Sequence, residues 1–179
     1  MGGIAPEKLI FLDESGVTTQ MTRSWGRASK GQRIAEATPQ ARWQVLTTWG
    51  AMSLRGIEAV MTLESATDSE LFTTYLEPVL CPTLRPGQVG VMDNLSAHKV
   101  AGIRELIQAQ GAKLIYLPPY SPDLNPLENA WSKFKQFLRS AKARTKEALE
   151  QAVTDALKTI TPENALAWFR HSGYGLHQP

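Results

Sequence analysis

Two stretches of this chain, residues 8–13 (KLIFLD) and 88–93 (QVGVMD), run apolar almost without interruption and then stop on an aspartate. Apolar runs this short, bounded by Pro, Ser and Gly, suit strands rather than helices. The first predicts a buried central strand, and the second another apolar strand. Residues 44–53 (QVLTTWGAMS), 57–63 (IEAVMTL) and 113–117 (KLIYL) read as three more strands. The short Leu54-Arg55-Gly56 link predicts a hairpin between the first two of these, and Gly50 marks a candidate bulge. Residues 16–33, rich in Thr, Ser, Gly and Arg, predict an irregular hairpin or loop.

Helices fall between and after these runs. Thr67-Asp68-Ser69-Glu70 has the form of a capping box and predicts a helix to about Leu80, closed by Pro82. A second helix is expected over 97–110, ending at Gly111. Asn125-Pro126-Leu127-Glu128 opens a long one, with proline at the first helical position. Its apolar stripe is Leu127, Ala130, Trp131, Phe134 and Leu138, which makes Trp131 a core residue. Two more are expected over 145–160 and 162–169. Three strands close in sequence suggest a meander, and the later strand–helix–strand unit requires a parallel crossover. The fold class expected is therefore α/β: a mixed five-stranded sheet with helices on both faces.

At 179 residues the chain is expected to form a single domain with its own core. Its lone cysteine, Cys81, cannot form an internal disulfide, and no Cys/His spacing matches a zinc site. Cys81 reads as a small buried hydrophobe, and a reduced, cytoplasmic compartment is expected. No secretory signal is visible and no apolar run approaches the roughly 20 residues of a membrane span, so no membrane partner is expected. A net charge of +2 is too small to argue a nucleic-acid partner, which must rest on where the charge sits.

Asp13 and Asp93 close two apolar strands, and Glu128 enters from the start of a helix. Carboxylates carried on rigid strands converge if the strands are neighbours. Hard oxygen donors without a His or Cys pair select Mg²⁺ or Mn²⁺ over zinc. Two such ions stabilise the attacking and leaving oxygens of an in-line phosphoryl displacement. Each acid also has a plain structural reading. Asp13-Glu14 and Asp93-Asn94 fit turns after strands, and Glu128 occupies the third helical position, where a capping box would place it. Residue chemistry alone leaves both readings open.

The flanking text is more specific. Phe11-Leu12-Asp13-Glu14-Ser15, residues 92–99 (MDNLSAHK) and residues 117–131 (LPPYSPDLNPLENAW) resemble the three signature blocks of the mariner-related insertion-sequence transposases. Thirty-four residues separate Asp93 from Glu128, the spacing of that family's Asp-Asp-Glu pattern. Trp25-Gly26, Lys30-Gly31, Thr48-Trp49-Gly50-Ala51, Trp168-Phe169 and Gly173-Tyr174 also resemble the family, so the similarity covers nearly the whole chain. The resemblance implies a ribonuclease H-like core, shared with retroviral integrases. It implies Asp13, Asp93 and Glu128 as catalytic and metal-binding residues, with two Mg²⁺ or Mn²⁺ ions. The implied reaction cuts transposon ends and joins the 3′-hydroxyl to target DNA, within a homodimer in the active DNA complex. Asn94 and His98 recur in the second block as candidate supporting residues.

Basic residues are clustered. Lys133, Lys135, Arg139, Lys142, Arg144 and Lys146 occur with no acid among them, and positions 128, 132, 135, 139 and 142 share one helical face. Arg23, Arg27, Lys30 and Arg33 form a second acid-free stretch. Arg23, Arg27, Lys30, Lys135, Arg139 and Lys142 are the expected phosphate contacts; a solvated surface is the other reading. The first strand begins near Lys8, so the expected organisation is one catalytic domain over 1–179, without the N-terminal helix-turn-helix region such transposases usually carry. In a prokaryote it would lie at the nucleoid. Two other functions fit the same residues: a ribonuclease H-like nuclease that never joins strands, and a non-catalytic DNA-binding or assembly module.

Overall fold

The computed structural model describes residues 3–40, 43–64, 69–94 and 102–175. One five-stranded sheet organises them, in the order β3-β2-β1-β4-β5. Its strands are β1 (Leu9–Thr18), β2 (Val45–Ser53), β3 (Gly56–Leu63), β4 (Val89–Met92) and β5 (Lys113–Tyr116). The first three form the expected antiparallel meander. β4 runs parallel to both β1 and β5, as a crossover connection requires.

Successive residues of β1 feed two separate cores, because a strand presents alternate side chains to opposite faces. Leu9, Phe11 and Val17 join α3 (Pro126–Ala141), α4 (Lys146–Lys158) and α5 (Pro162–His171) on one face. Ile10 and Leu12 join α1 (Ser69–Tyr75) and α2 (Ile103–Ala109) on the other. The uninterrupted apolar run at the start of β1 is thus explained by helices on both faces. Among the described residues no helix is long and apolar enough to cross a membrane.

The structure departs from the sequence expectations in four places. β1 does not end at Asp13 but continues to Thr18, pairing with β2 through Thr18↔Val45. The polar text hid this because Val17 supplies the only large apolar side chain there. Second, the irregularity in β2 lies between Ala51 and Met52, not at Gly50. Third, α1 gives way to a π-helical stretch over Leu76–Leu80 and then a 3₁₀ turn at Cys81–Thr83. Pro78 sits in that stretch and has no N–H to donate, so regular α-helical bonding cannot continue through it. Fourth, α2 begins at Ile103, after Gly102 with φ 95°, and the expected start at 97 lies outside the described residues. Thr67 of the expected capping box does too. Gly111 does close α2 in a left-handed conformation, φ 72°, and Cys81 is buried.

Gly50 has a packing role instead. It pairs with Asp13 across β1 and β2, and the Trp131 ring lies directly over it. A carbon added at Gly50 would sit 2.7 Å from Trp131 Cη2, closer than any real contact. The glycine therefore lets α3 approach the sheet beside Asp13. Gly50→Ala should destabilise the fold by about 1–3 kcal/mol, the usual cost of overpacking a core. Denaturant melts would show it, and an unchanged midpoint would remove this role for Gly50.

Candidate active site

The last parallel pair between β1 and β4 is Leu12↔Met92. The next residue on each strand is an aspartate, Asp13 and Asp93, so neighbouring strands deliver both acids to the same edge. Asp13 lies on the face covered by α3, and the first turn of α3 carries Glu128. All three line one cavity of about 330 Å³, together with Asn94, Asn125 and the loop from Leu117 to Pro122. Among the described residues no three His, Cys, Asp or Glu side chains are drawn into a metal-binding cluster. The acids thus share a cavity without closing on a common point. His98 lies outside the described residues.

Asp13 is nearly buried, at 8% exposure. Its Oδ1 accepts from the Glu14 backbone N–H at 2.8 Å, and its Oδ2 accepts from Asn125 Nδ2 at 2.9 Å. Burial pushes its pKa up to about 8, helped by the negative charges of Glu128, Glu14 and Asp93 and opposed by the Glu14 N–H.

Asn125 is a residue whose reach the sequence did not reveal. As N-cap of α3 it accepts from the Leu127 N–H through Oδ1 at 3.1 Å, as its position suggested. The other end of the same carboxamide holds Asp13. The signal was available in principle, since a buried asparagine must place its NH₂ as well as its oxygen. Its own N–H donates to the Pro122 carbonyl at 3.0 Å. That bond occupies the amide a capping-box glutamate would take. Glu128 makes no such cap, and its side chain is exposed at the cavity. Behind the loop, Tyr174 donates to the Leu124 carbonyl at 2.7 Å while its ring packs 5.0 Å from Phe11.

The basic residues divide into two groups. Lys142 pairs with Glu36, Arg144 donates to the carbonyls of Thr19 and Met21, and Arg23 donates to Ser140 Oγ at 3.3 Å. Lys133 bonds the Thr159 carbonyl and Asn164, and Lys146 pairs with Glu64. These cations hold loops and helices together. Lys135 and Arg139, half-buried on α3, and the exposed Arg27 and Lys30 make no hydrogen bond or ion pair among the described residues.

This combination, paired acids on adjacent strands of a mixed sheet and a third on the covering helix, defines a class that sequence comparison also finds. The profile of the DDE superfamily endonuclease family matches residues 8–150. The chain belongs to that family, and its fold is ribonuclease H-like. It is 27% identical to the Tc1 transposase of Caenorhabditis elegans over 163 residues, 86% of this chain and 60% of that protein. Its fold is similar to the Mos1 strand transfer complex, with TM-score 0.70 and 16% identity over 94% of this chain and 51% of that one. It is likewise similar to the Mos1 mariner paired end complex with Mn, with TM-score 0.69 and 16% identity over 93% and 52%. The chain therefore spans about half to three-fifths of the length of these relatives.

The raised Asp13 pKa has a consequence for stability. The folded value of about 8 exceeds the ordinary 3.8, so the folded state binds this proton more tightly than the unfolded state. Its contribution is complete below pH 4 and is lost as pH rises through 8, at up to about 1.4 kcal/mol per pH unit. In EDTA, wild type should melt progressively lower between pH 5 and 9, and Asp13→Asn should flatten that decline. Equal slopes for the two proteins would exclude Asp13 as its source.

Proposed function

We propose that this domain cuts DNA at transposon ends and joins the freed 3′-hydroxyl to target DNA, with Asp13, Asp93 and Glu128 as its catalytic acids. The observation that carries this reading is their convergence on one cavity from two adjacent strands and a covering helix. The relatives are named as transposases, and one similar structure is titled a strand transfer complex.

The donor set fits a divalent cation. Asp13 is buried among other carboxylates, and a Mg²⁺ or Mn²⁺ ion would supply the countercharge that Glu128 and Asp93 do not. One similar structure carries Mn in its title. Bound there, one or two such ions would polarise the attacking and leaving oxygens of a phosphodiester. The residues' own tasks follow from their settings. Asp13 is held by Asn125 and the Glu14 N–H, so it offers a fixed carboxylate once its proton leaves. Asp93 stands at the end of β4, and Glu128 is available because it does not cap its helix. Asn94 lines the cavity wall, which supports a part for it in orienting a phosphate oxygen. Two ends must be brought together for joining, which favours a homodimer in the DNA complex. A nuclease that never joins strands is the competing reading, and joined products from a transposon-end substrate decide against it.

Glu128→Gln should lower Mg²⁺-dependent nicking by at least about a hundredfold, beyond the cost of losing an outer-shell partner. Its melting temperature should stay near wild type, because the side chain is exposed. Undiminished nicking would remove Glu128 from the site. For DNA binding, Lys135→Ala and Arg139→Ala should each reduce the slope of log K against log salt by about one. Lys142→Ala should change it less, since Lys142 already answers Glu36. The reverse ranking, read by fluorescence anisotropy across a salt series, would assign the backbone contact to the wrong cations.

A further inference from the structure

We propose that Tyr120 is a stacking platform for one unpaired nucleobase beside the phosphate being cut. This rests on the reading that the acidic cavity acts on DNA. Tyr120 lines that cavity together with Asp13, Asp93 and Glu128. Its side chain is fully exposed, at 101%, whereas Tyr75 is buried and Tyr116 and Tyr174 are half-buried. Trp25 is comparably exposed, at 90%, but it lies on a different depression, with Arg23 and Arg27.

The backbone is the second observation. Tyr120 has φ 56°, in the left-handed region that a bulky side chain disfavours by about 1–2 kcal/mol. Among the described residues the only other non-glycine there is Lys142, φ 52°, which terminates α3 and whose N–H bonds the Leu138 carbonyl. Tyr120 ends no helix. Glycine or asparagine would serve the turn better, and a bare aromatic ring adds nothing to the core. The conformation is nonetheless held from both sides. Pro118, Pro119 and Pro122 stiffen the loop, Ser121 Oγ donates to the Pro119 carbonyl at 3.3 Å, and the Leu124 N–H donates to Ser121 at 3.2 Å. Strain kept in place at a cavity mouth, with the ring aimed at solvent, points to a ligand for the ring.

The chemistry of that ligand follows from the neighbours. A phosphodiester held through a divalent cation on the three acids would carry its flanking bases within reach of the cavity rim. Every base has a π-face, so a phenol ring can accept any of them, provided the base has left the duplex stack. Tyr120 thereby favours DNA whose bases are already unpaired at the cleavage point.

Anisotropy with the full chain should compare a labelled duplex carrying a two-base mismatched bubble with its fully paired counterpart. Wild type should prefer the bubble by about tenfold, the scale of one stacked base. Tyr120→Leu and Tyr120→Gly should lose the preference, while Tyr120→Phe and Tyr120→Trp keep it. Tyr120→Gly should melt at or above wild type because the strain is released, which separates the effect from unfolding. No bubble preference in wild type, or a preference retained by Tyr120→Leu, would overturn the proposal. Nicking of the same duplexes in Mg²⁺ is scored in parallel. A wild type that binds the bubble through Tyr120 yet nicks no DNA would sink the catalytic reading and leave the stacking site standing.

Discussion

The carboxamide of Asn125 is the joint on which the acidic cavity depends. Its oxygen caps the N-terminus of α3, and its nitrogen holds Asp13 on β1. One planar group thus fixes the distance between the strand that carries the first acid and the helix that carries the third. Serine or threonine could cap the helix as well, but neither offers an acceptor and an amide donor on opposite ends of one side chain. Around this joint the supports are arranged in depth. Trp131, one turn further along α3, lies on Gly50, the residue paired with Asp13. Tyr174 ties the preceding loop to the aromatic cluster of Phe11 and Phe169.

Electrostatics work against this construction unless something compensates. A carboxylate buried among carboxylates is costly, and in the metal-free protein Asp13 relieves that cost by holding a proton near neutral pH. A proton and the proposed divalent cation would compete for the same oxygens, so cation affinity at this site would rise with pH through the same interval. The Asn125 amide and the Glu14 N–H moderate the repulsion without removing it, which keeps Asp13 oriented whichever species neutralises it.

The fold was legible where apolar runs and caps are local. The meander, the parallel β4, helices on both faces and the Asn125 cap all follow from patterns within a few residues of one another. Asp13 and Asp93 were legible because both end apolar runs, and adjacency of the strands makes that meaningful. What escaped depended on partners distant in sequence. The second half of β1 forms because β2 offers it a ladder, not because Gly16 and Thr18 favour extension. Gly50 looked like a bulge because its reason, the Trp131 ring, comes eighty-one positions later. The Lys142 ion pair escaped because Glu36 is remote in sequence. Residue chemistry left a capping role for Glu128 open because the sequence does not show the Asn125 amide turning to Pro122.

Several locally unfavourable features of this domain gather around one place. Asp13 is buried next to like charge, and Tyr120 holds a left-handed backbone at the cavity mouth. Ser15 Oγ, two residues along the same face of β1, and Trp131 Nε1, above Gly50, are buried without a hydrogen-bond partner among the described residues. Each costs about 1–3 kcal/mol in ordinary settings. A domain selected only for stability would spread such costs or remove them. Here they are carried by two aromatic cores, one on each face of the sheet, built on Trp131–Phe134 and Phe11–Phe169 on one side and Trp49–Phe72–Tyr75 on the other. Glu58 Oε1 and Ser172 Oγ are also buried without a partner among the described residues, but only beside the acids do such costs coincide with buried charge and backbone strain, which supports the acidic end of β1 and β4 as the proposed site.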